Sequence, residues 1–282
     1  MRLGAYILRP YRNAEEYIAL LREKGYRAAY CPEYIQSVHQ QAEIDELKSG
    51  LHANDISLAE VGTWVNPLSP DRKEREAAEA LLIERLALAD ALEARCCVNV
   101  IGSMSKEYWY APCAQNYTDA FLEAAVSVYQ KIIDAVDVKN TRMTFEVMPY
   151  CLLDDAQGYL RFLKALDRPQ QTGVHLDFAN MLHDPRTYYG HRAIFRDAVE
   201  RLGPQLASVH VKDLRLDPKA LNTQIHEVEL GCGELDLGCV LDVLAALPDE
   251  IPVMLEHLPD ERAYDRSAAH LRALADERGY RL

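Results

Sequence analysis

The sequence predicts an α/β protein, a (β/α)8 barrel in one domain over residues 1–282. Three observations predict it. Short apolar runs alternate eight times with amphipathic stretches, and strict alternation of this kind builds a parallel sheet covered by helices. No Pro/Gly/Ser-rich linker, low-complexity tract or break in composition divides the chain, whose 282 residues suit a barrel of about 250. Finally, no Gly-rich phosphate turn follows an early strand, as an open doubly wound sheet would require. The first strand runs instead into Arg9-Pro10-Tyr11-Arg12. The Gly-x-Gly at Gly231 and Gly233 lies late in a loop and lacks the third glycine of a dinucleotide fingerprint.

Taken in order, Gly4 to Leu8 reads as the first strand. Asn13 caps a helix with Tyr17, Leu20 and Leu21 on its apolar face and Gly25 beyond its end. Tyr26 to Tyr30 is strand two, Ile35 to Lys48 a helix closed by Gly50, and Ile56 to Val61 strand three. Ser69-Pro70-Asp71 starts the next helix, with Ser as N-cap, Pro in the first turn and Asp favourable to the dipole. Ala78, Leu82, Leu86 and Ala89 recur along it at helical spacing, down to about Leu92. Cys96 to Ile101 is strand four, followed by a loop with Tyr108, Trp109 and Tyr110, then a helix over Tyr117 to Val136. Arg142 to Met148 is strand five, with a helix over Asp155 to Leu166; Gly173 to Asp177 is strand six, with a helix over Tyr189 to Leu202. Ala207 to Val211 is strand seven, followed by a long loop carrying Gly231 and Gly233 and a helix over Leu237 to Leu247. Ile251 to Glu256 is strand eight, and Glu261 to Glu277 the closing helix.

Composition narrows the function. Hydrophobic residues make up 49% of the chain, enough for a large core, and the net charge is −13. So acidic a surface repels phosphodiester backbones and anionic lipid, which excludes nucleic acid and membrane as expected partners. The N-terminal apolar run is too short for a signal peptide, and no segment reaches transmembrane length. The expected location is the cytoplasm. Seven cysteines without a Cys-x-x-Cys pair read as buried free thiols rather than a disulfide framework or zinc site.

Four strand ends carry the chemistry. In Thr144-Phe145-Glu146-Val147 a carboxylate interrupts an apolar strand. Side chains alternate along a strand, so Phe145 and Val147 face the helices while Glu146 faces the barrel. The same phase places Asp177, His210 and Glu256 inward at the ends of strands six, seven and eight. In a barrel the C-terminal strand ends form the active site, and these four strands are neighbours. Three buried carboxylates would repel one another without a cation. With one imidazole they suit a single divalent metal: manganese first, with magnesium, cobalt or zinc as alternatives.

Thr144-Phe145-Glu146, Val174-His175-Leu176-Asp177, His210-Val211-Lys212-Asp213, the Gly231-x-Gly233 loop and Met254-Leu255-Glu256-His257 together resemble the xylose isomerase-like barrels, the sugar phosphate isomerase/epimerase family. The resemblance covers essentially the whole chain. It implies Glu146, Asp177, His210 and Glu256 as ligands of one metal, with Glu146 and Glu256 as an acid/base pair on either side of a sugar or polyol. It further implies proton abstraction beside a carbonyl and a metal-stabilised enediolate, hence isomerisation or epimerisation. Loss of a hydroxyl from the same intermediate would instead make a lyase or dehydratase of a keto sugar or inosose. A non-catalytic carbohydrate-binding barrel is the alternative outside enzymes. The shell departs from the ketose 3-epimerases: Asn180 stands where they carry a substrate-contacting His, Leu152 where they carry a second Glu, and Arg215 lies one residue early. Endonuclease-type members are not expected, given the charge and Asn180.

Further candidates follow from position. Trp64 and Trp109 follow strands three and four on the active-site face and, with Asn180, Lys212 and Arg215, are candidate substrate contacts. Lys212 could equally bond a carboxylate at the rim. His175, inward and two residues before Asp177, and Asp213, beside the metal-ligand candidates, are expected to support the ligands, Asp213 by orienting His210. Glu60 and Asn99 read as inward on strands three and four. A homo-oligomer is compatible with all of this.

Overall fold

A computed structural model describes residues 1–247 and 250–282. Its strands are β1 (Arg2–Ala5), β2 (Ala28–Tyr30), β3 (Ser57–Gly62), β4 (Cys96–Val100), β5 (Met143–Glu146), β6 (Val174–Asp177), β7 (Leu206–Val211), β8 (Asp213–Leu216), β9 (Ile225–Val228) and β10 (Pro252–Leu255). Strands β8 and β9 form a separate hairpin; the others pair in parallel and close in the order β1-β10-β7-β6-β5-β4-β3-β2. The helices are α1 (Ala14–Glu23), α2 (Gln41–Ala53), α3 (Arg72–Ala91), α4 (Asp119–Asp134), α5 (Ala156–Leu166), α6 (Pro185–Tyr189), α7 (His191–Leu202), α8 (Leu237–Ala245) and α9 (Glu261–Glu277). Asn13, Thr118, Asp155 and Asp260 each accept a backbone N–H at a helix start, worth about 1 kcal/mol apiece.

Alternation along the strands divides two environments. Outward residues build the layer between sheet and helices. Phe145 meets Tyr129 of α4 and Phe162 of α5 edge to face, with ring centroids 4.7 and 4.8 Å apart. Inward residues fill the barrel, where Gly4 leaves room for Met254: a Cβ at Gly4 would lie 2.6 Å from the Met254 sulfur. Between β5 and β6 the ladder is sparse, and only Glu146 and His175 are in register. A side chain bridges this seam. The Tyr159 hydroxyl, from α5, donates to the Phe145 carbonyl at 2.7 Å. It accepts from the Phe145 amide at 3.1 Å and the His175 amide at 3.2 Å.

Several boundaries differ from the sequence reading, each for a local reason. The first strand is Arg2–Ala5, because Tyr6 leaves the ladder to stack on Tyr30 at 3.9 Å. Helix α2 begins at Gln41, with Ile35 buried in the preceding loop, and runs past Gly50. Gly50 is no stop signal: it lets α1 approach, and a Cβ there would collide with Ile18 Cδ1. Asp71, not Ser69, caps α3 by accepting from the Lys73 and Glu74 amides, while Ser69 donates to the Glu74 carboxylate at 2.7 Å. The helix read over Tyr189 to Leu202 breaks at Gly190 into α6 and α7. The long loop after β7 is not all loop, since it holds the antiparallel pair β8 and β9. The end of the helix read to Leu247 falls earlier, at Ala245. All seven cysteines are free, with Cys232 exposed rather than buried.

Candidate metal centre and substrate cavity

Strands β5, β6, β7 and β10 are neighbours in the closed barrel, so their C-terminal ends present side chains to one point. Asp177 and His210 are directly paired, as are His210 and Met254, which precedes Glu256 by two residues. Glu146, Asp177, His210 and Glu256 are all buried and offer ligand atoms within 4.8 Å of one another. His210 Nδ1 lies 3.1 Å from Glu146 Oε1 and 2.9 Å from Glu256 Oε1. Lys212 Nζ lies 2.7 Å from both Asp177 Oδ2 and Glu256 Oε1. These two carboxylate oxygens are buried without a partner in hydrogen-bonding geometry. Three buried carboxylates beside an imidazole nitrogen form a donor set of three hard oxygens and one nitrogen, which fits a divalent cation.

The far nitrogen of His210 is held from the opposite wall. His210 Nε2 sits 3.1 Å from Glu60 Oε2, and Ser208 Oγ donates to Glu60 Oε1 at 2.5 Å. A carboxylate on one ring nitrogen aims the other at the centre and fixes the tautomer it must present to a metal. Glu60→Gln is therefore expected to weaken Mn2+ binding by about 10–100-fold without removing a ligand. Titration of the purified protein with Mn2+ measures this, and an unchanged affinity would dismiss the role.

The site is electrostatically divided. Burial pushes Glu146 up to about 7, with the hydrogen bond from His210 opposing. Burial acts in the same direction on Glu256, but His210 and Lys212 outweigh it and hold this carboxyl well below its ordinary range. His210 itself is disfavoured as a cation by burial, yet Glu256, Glu60 and Glu146 raise its pKa well above the usual imidazole value. Burial instead lowers His175 to about 3, so this ring is neutral. It packs edge-on to His210, centroids 4.2 Å apart, and lies with Glu60 and His210 in a second buried group beside the first.

Above these groups opens a cavity of about 420 Å3. Trp64 and Trp109 line it, as do Asn180 and Lys212. Asn180 donates to Val147 O at 3.1 Å and approaches Glu146 Oε1 at 3.4 Å. Tyr6, Tyr110 and Tyr150 complete an aromatic wall, and Glu227 and His257 close the rim. Sequence reasoning missed these five. The three tyrosines had a signal, since each follows a strand or sits in a strand-end loop; Glu227 had none, because it lies on the unforeseen hairpin.

Three assignments need correction. Asp213 does not orient His210: its carboxylate accepts from the amides of Leu214, Gly231, Gly233 and Leu235, at 2.8 to 3.2 Å. It ties the Gly231–Gly233 loop to the end of β7, and Gly233 is needed because a Cβ there would collide with Asp213 Oδ1. Arg215 is exposed on the hairpin and is not among the residues lining the cavity. Asn99 faces outward rather than inward, bonding the Tyr129 hydroxyl at 2.9 Å and the Val65 backbone.

Comparison with known proteins places this architecture. The profile of the xylose isomerase-like TIM barrel family matches residues 16–274. The chain belongs to that family. Among solved structures it is similar to a D-psicose 3-epimerase from Clostridium cellulolyticum, crystallised with D-tagatose, at TM-score 0.68 and 19% identity, covering 98% of this chain and 99% of the other. It is also similar to a 3-keto-D-glucoside 4-epimerase from E. coli, at TM-score 0.72 and 15% identity over 97% and 99%. A probable 3-DHS dehydratase from Bacillus anthracis aligns at TM-score 0.67 and 15% identity over 97% and 98%. No curated protein matches the sequence. Among the described residues no helix is long and apolar enough to cross a membrane.

Proposed function

We propose that this chain is a divalent-metal-dependent isomerase or epimerase of a keto sugar or inosose, acting by proton transfer beside a carbonyl. The observation that carries the reading is the pair Glu146 and Glu256. Both flank His210 Nδ1, and both line one cavity. Two carboxyl groups on one cavity can take a proton from a bound substrate and return one to it. Glu146, Asp177, His210 and Glu256 would hold the ion, Mn2+ by preference, which supplies Lewis acidity to a substrate carbonyl and its neighbouring hydroxyl.

The protein's own groups do the rest. Glu256 takes a proton from the carbon beside the carbonyl, and Glu146 returns one to the opposite face or to the adjacent carbon. The aromatic walls Trp64 and Trp109 offer apolar faces to the sugar's C–H surface, and Asn180 keeps Glu146 in place. The first step is common to a dehydratase, the reading supported by the dehydratase among the structural neighbours. Product mass separates the two, since isomers retain it and dehydration loses water.

The test is incubation of the Mn2+-loaded protein with ketoses and inososes in D2O, followed by NMR. Deuterium is expected at the carbon beside the carbonyl. Glu256→Gln should slow its entry by on the order of 100- to 10,000-fold, the range for loss of a general acid–base group. A panel that shows no exchange with metal bound would overturn the reading for those substrates.

A further inference from the structure

The cavity above Glu146 and Glu256 does not end at its rim. A second cavity, of about 500 Å3, opens on the far side of Asn180 and shares Pro149, Tyr150, Asn180 and Glu227 with the first. These four residues are a common wall, so a ligand long enough to pass Asn180 touches both spaces. The outer wall of the second space is the β8–β9 hairpin, through Thr223, Gln224 and His226. Its inner side is apolar, through Leu182 and Leu214. An apolar floor under a rim of hydroxyl, amide and imidazole groups suits a ring that has a C–H face and hydroxyl edges.

Charge selects among extended ligands. Among the described residues no Lys or Arg lines the second cavity, and the one formal charge in its lining is the carboxylate of Glu227. Glu227 is already engaged, at 3.3 Å by Lys212 and 2.9 Å by His257. A phosphoryl group placed here would meet the Glu227 carboxylate, whose neighbouring cations are already paired with it, and no Lys or Arg in the lining, whereas phosphate sites are built from Arg, Lys or helix N-termini. We propose that the substrate is an uncharged glycoside: a keto sugar whose reacting ring lies against Glu146 and Glu256 and whose second, neutral ring occupies the groove between Tyr150 and the β8–β9 hairpin. The proposal rests on the reading of the first cavity as the reaction site.

Its test keeps the two apart. Binding to the Mn2+-loaded protein is measured by calorimetry for fructose, fructose phosphate, and the neutral disaccharides lactulose and isomaltulose (galactosyl- and glucosyl-fructose). At least one disaccharide is expected to bind tenfold or more tighter than both fructose and its phosphate. In Thr223→Trp, which fills the groove from the hairpin, the ratio of disaccharide to fructose affinity should fall to near one. Equal binding of fructose and both disaccharides, tightest binding of the phosphate, or an unchanged ratio in Thr223→Trp would overturn the proposal. Deuterium exchange in the same samples reports separately on the chemistry. Exchange into fructose without a disaccharide preference defeats the groove and leaves the reaction; disaccharide preference without exchange does the reverse.

Discussion

Asp177→Asn is expected to remove stoichiometric Mn2+ from the purified protein, weakening affinity by more than the roughly 100-fold that loss of a supporting partner costs. The substitution keeps the shape of the side chain and deletes one negative charge from the centre. Asp177 is fully buried at the end of β6, paired in register with His210. Its Oδ1 is committed to the backbone amides of Ala179 and Asn180, at 2.8 and 3.1 Å. Only Oδ2, which faces the Lys212 ammonium at 2.7 Å, is left for a cation. Asparagine would retain one acceptor for those amides and present an uncharged amide donor to the centre. Metal analysis and Mn2+ titration decide the matter; an Asp177→Asn protein that still binds one equivalent of Mn2+ at wild-type affinity would remove Asp177 from the ligand set.

Lys212→Met is expected to move two measurements in opposite directions. The metal-free protein should lose about 3–5 kcal/mol, because Asp177 and Glu256 are left as buried carboxylates without their shared cation. That corresponds to a melting temperature lower by roughly 10 °C in a chain of this size. Mn2+ should bind tighter, by on the order of tenfold or more, since a fixed ammonium against two ligand oxygens repels an arriving cation. Scanning calorimetry of the chelator-treated protein and Mn2+ titration read the two effects. Weaker Mn2+ binding in Lys212→Met would mean that the ammonium supports the metal rather than competing with it.

The barrel and the clustered carboxylates were both legible in the sequence, for the same reason. Apolar period-two patterning marks each strand, and a carboxylate or imidazole in the inward phase at the end of a strand is conspicuous. Glu146 between Phe145 and Val147 is the clearest instance. Phase, however, says which way a side chain points and not what meets it. Asp213 follows Lys212 and lies close behind His210 in the chain, which suggested a supporting role there. In space its carboxylate is claimed by the amides of Gly231 and Gly233, far along the following loop. The hairpin escaped because its strands are partly exposed and carry Arg215, His226 and Glu227, so no apolar run marks them. With it went Glu227. Gly50 misled for a different reason: glycine ends helices through its backbone, but here it serves close helix packing.

The hydroxyl of Tyr159 ties the proposed metal centre to the helical layer around the barrel. It spans a thinly paired seam of the barrel, and the strands on either side of that seam deliver Glu146 and Asp177. The gap between these two carboxylates is thus set by where α5 stands, as a wedge sets the width of a split. Helix α5 packs through Phe162 onto Phe145, so a bulkier or smaller residue at that contact, far from any substrate, changes the bite offered to the cation. The grip of the proposed centre on a cation would in this sense be adjustable from the helical layer, without touching any of the four candidate ligands.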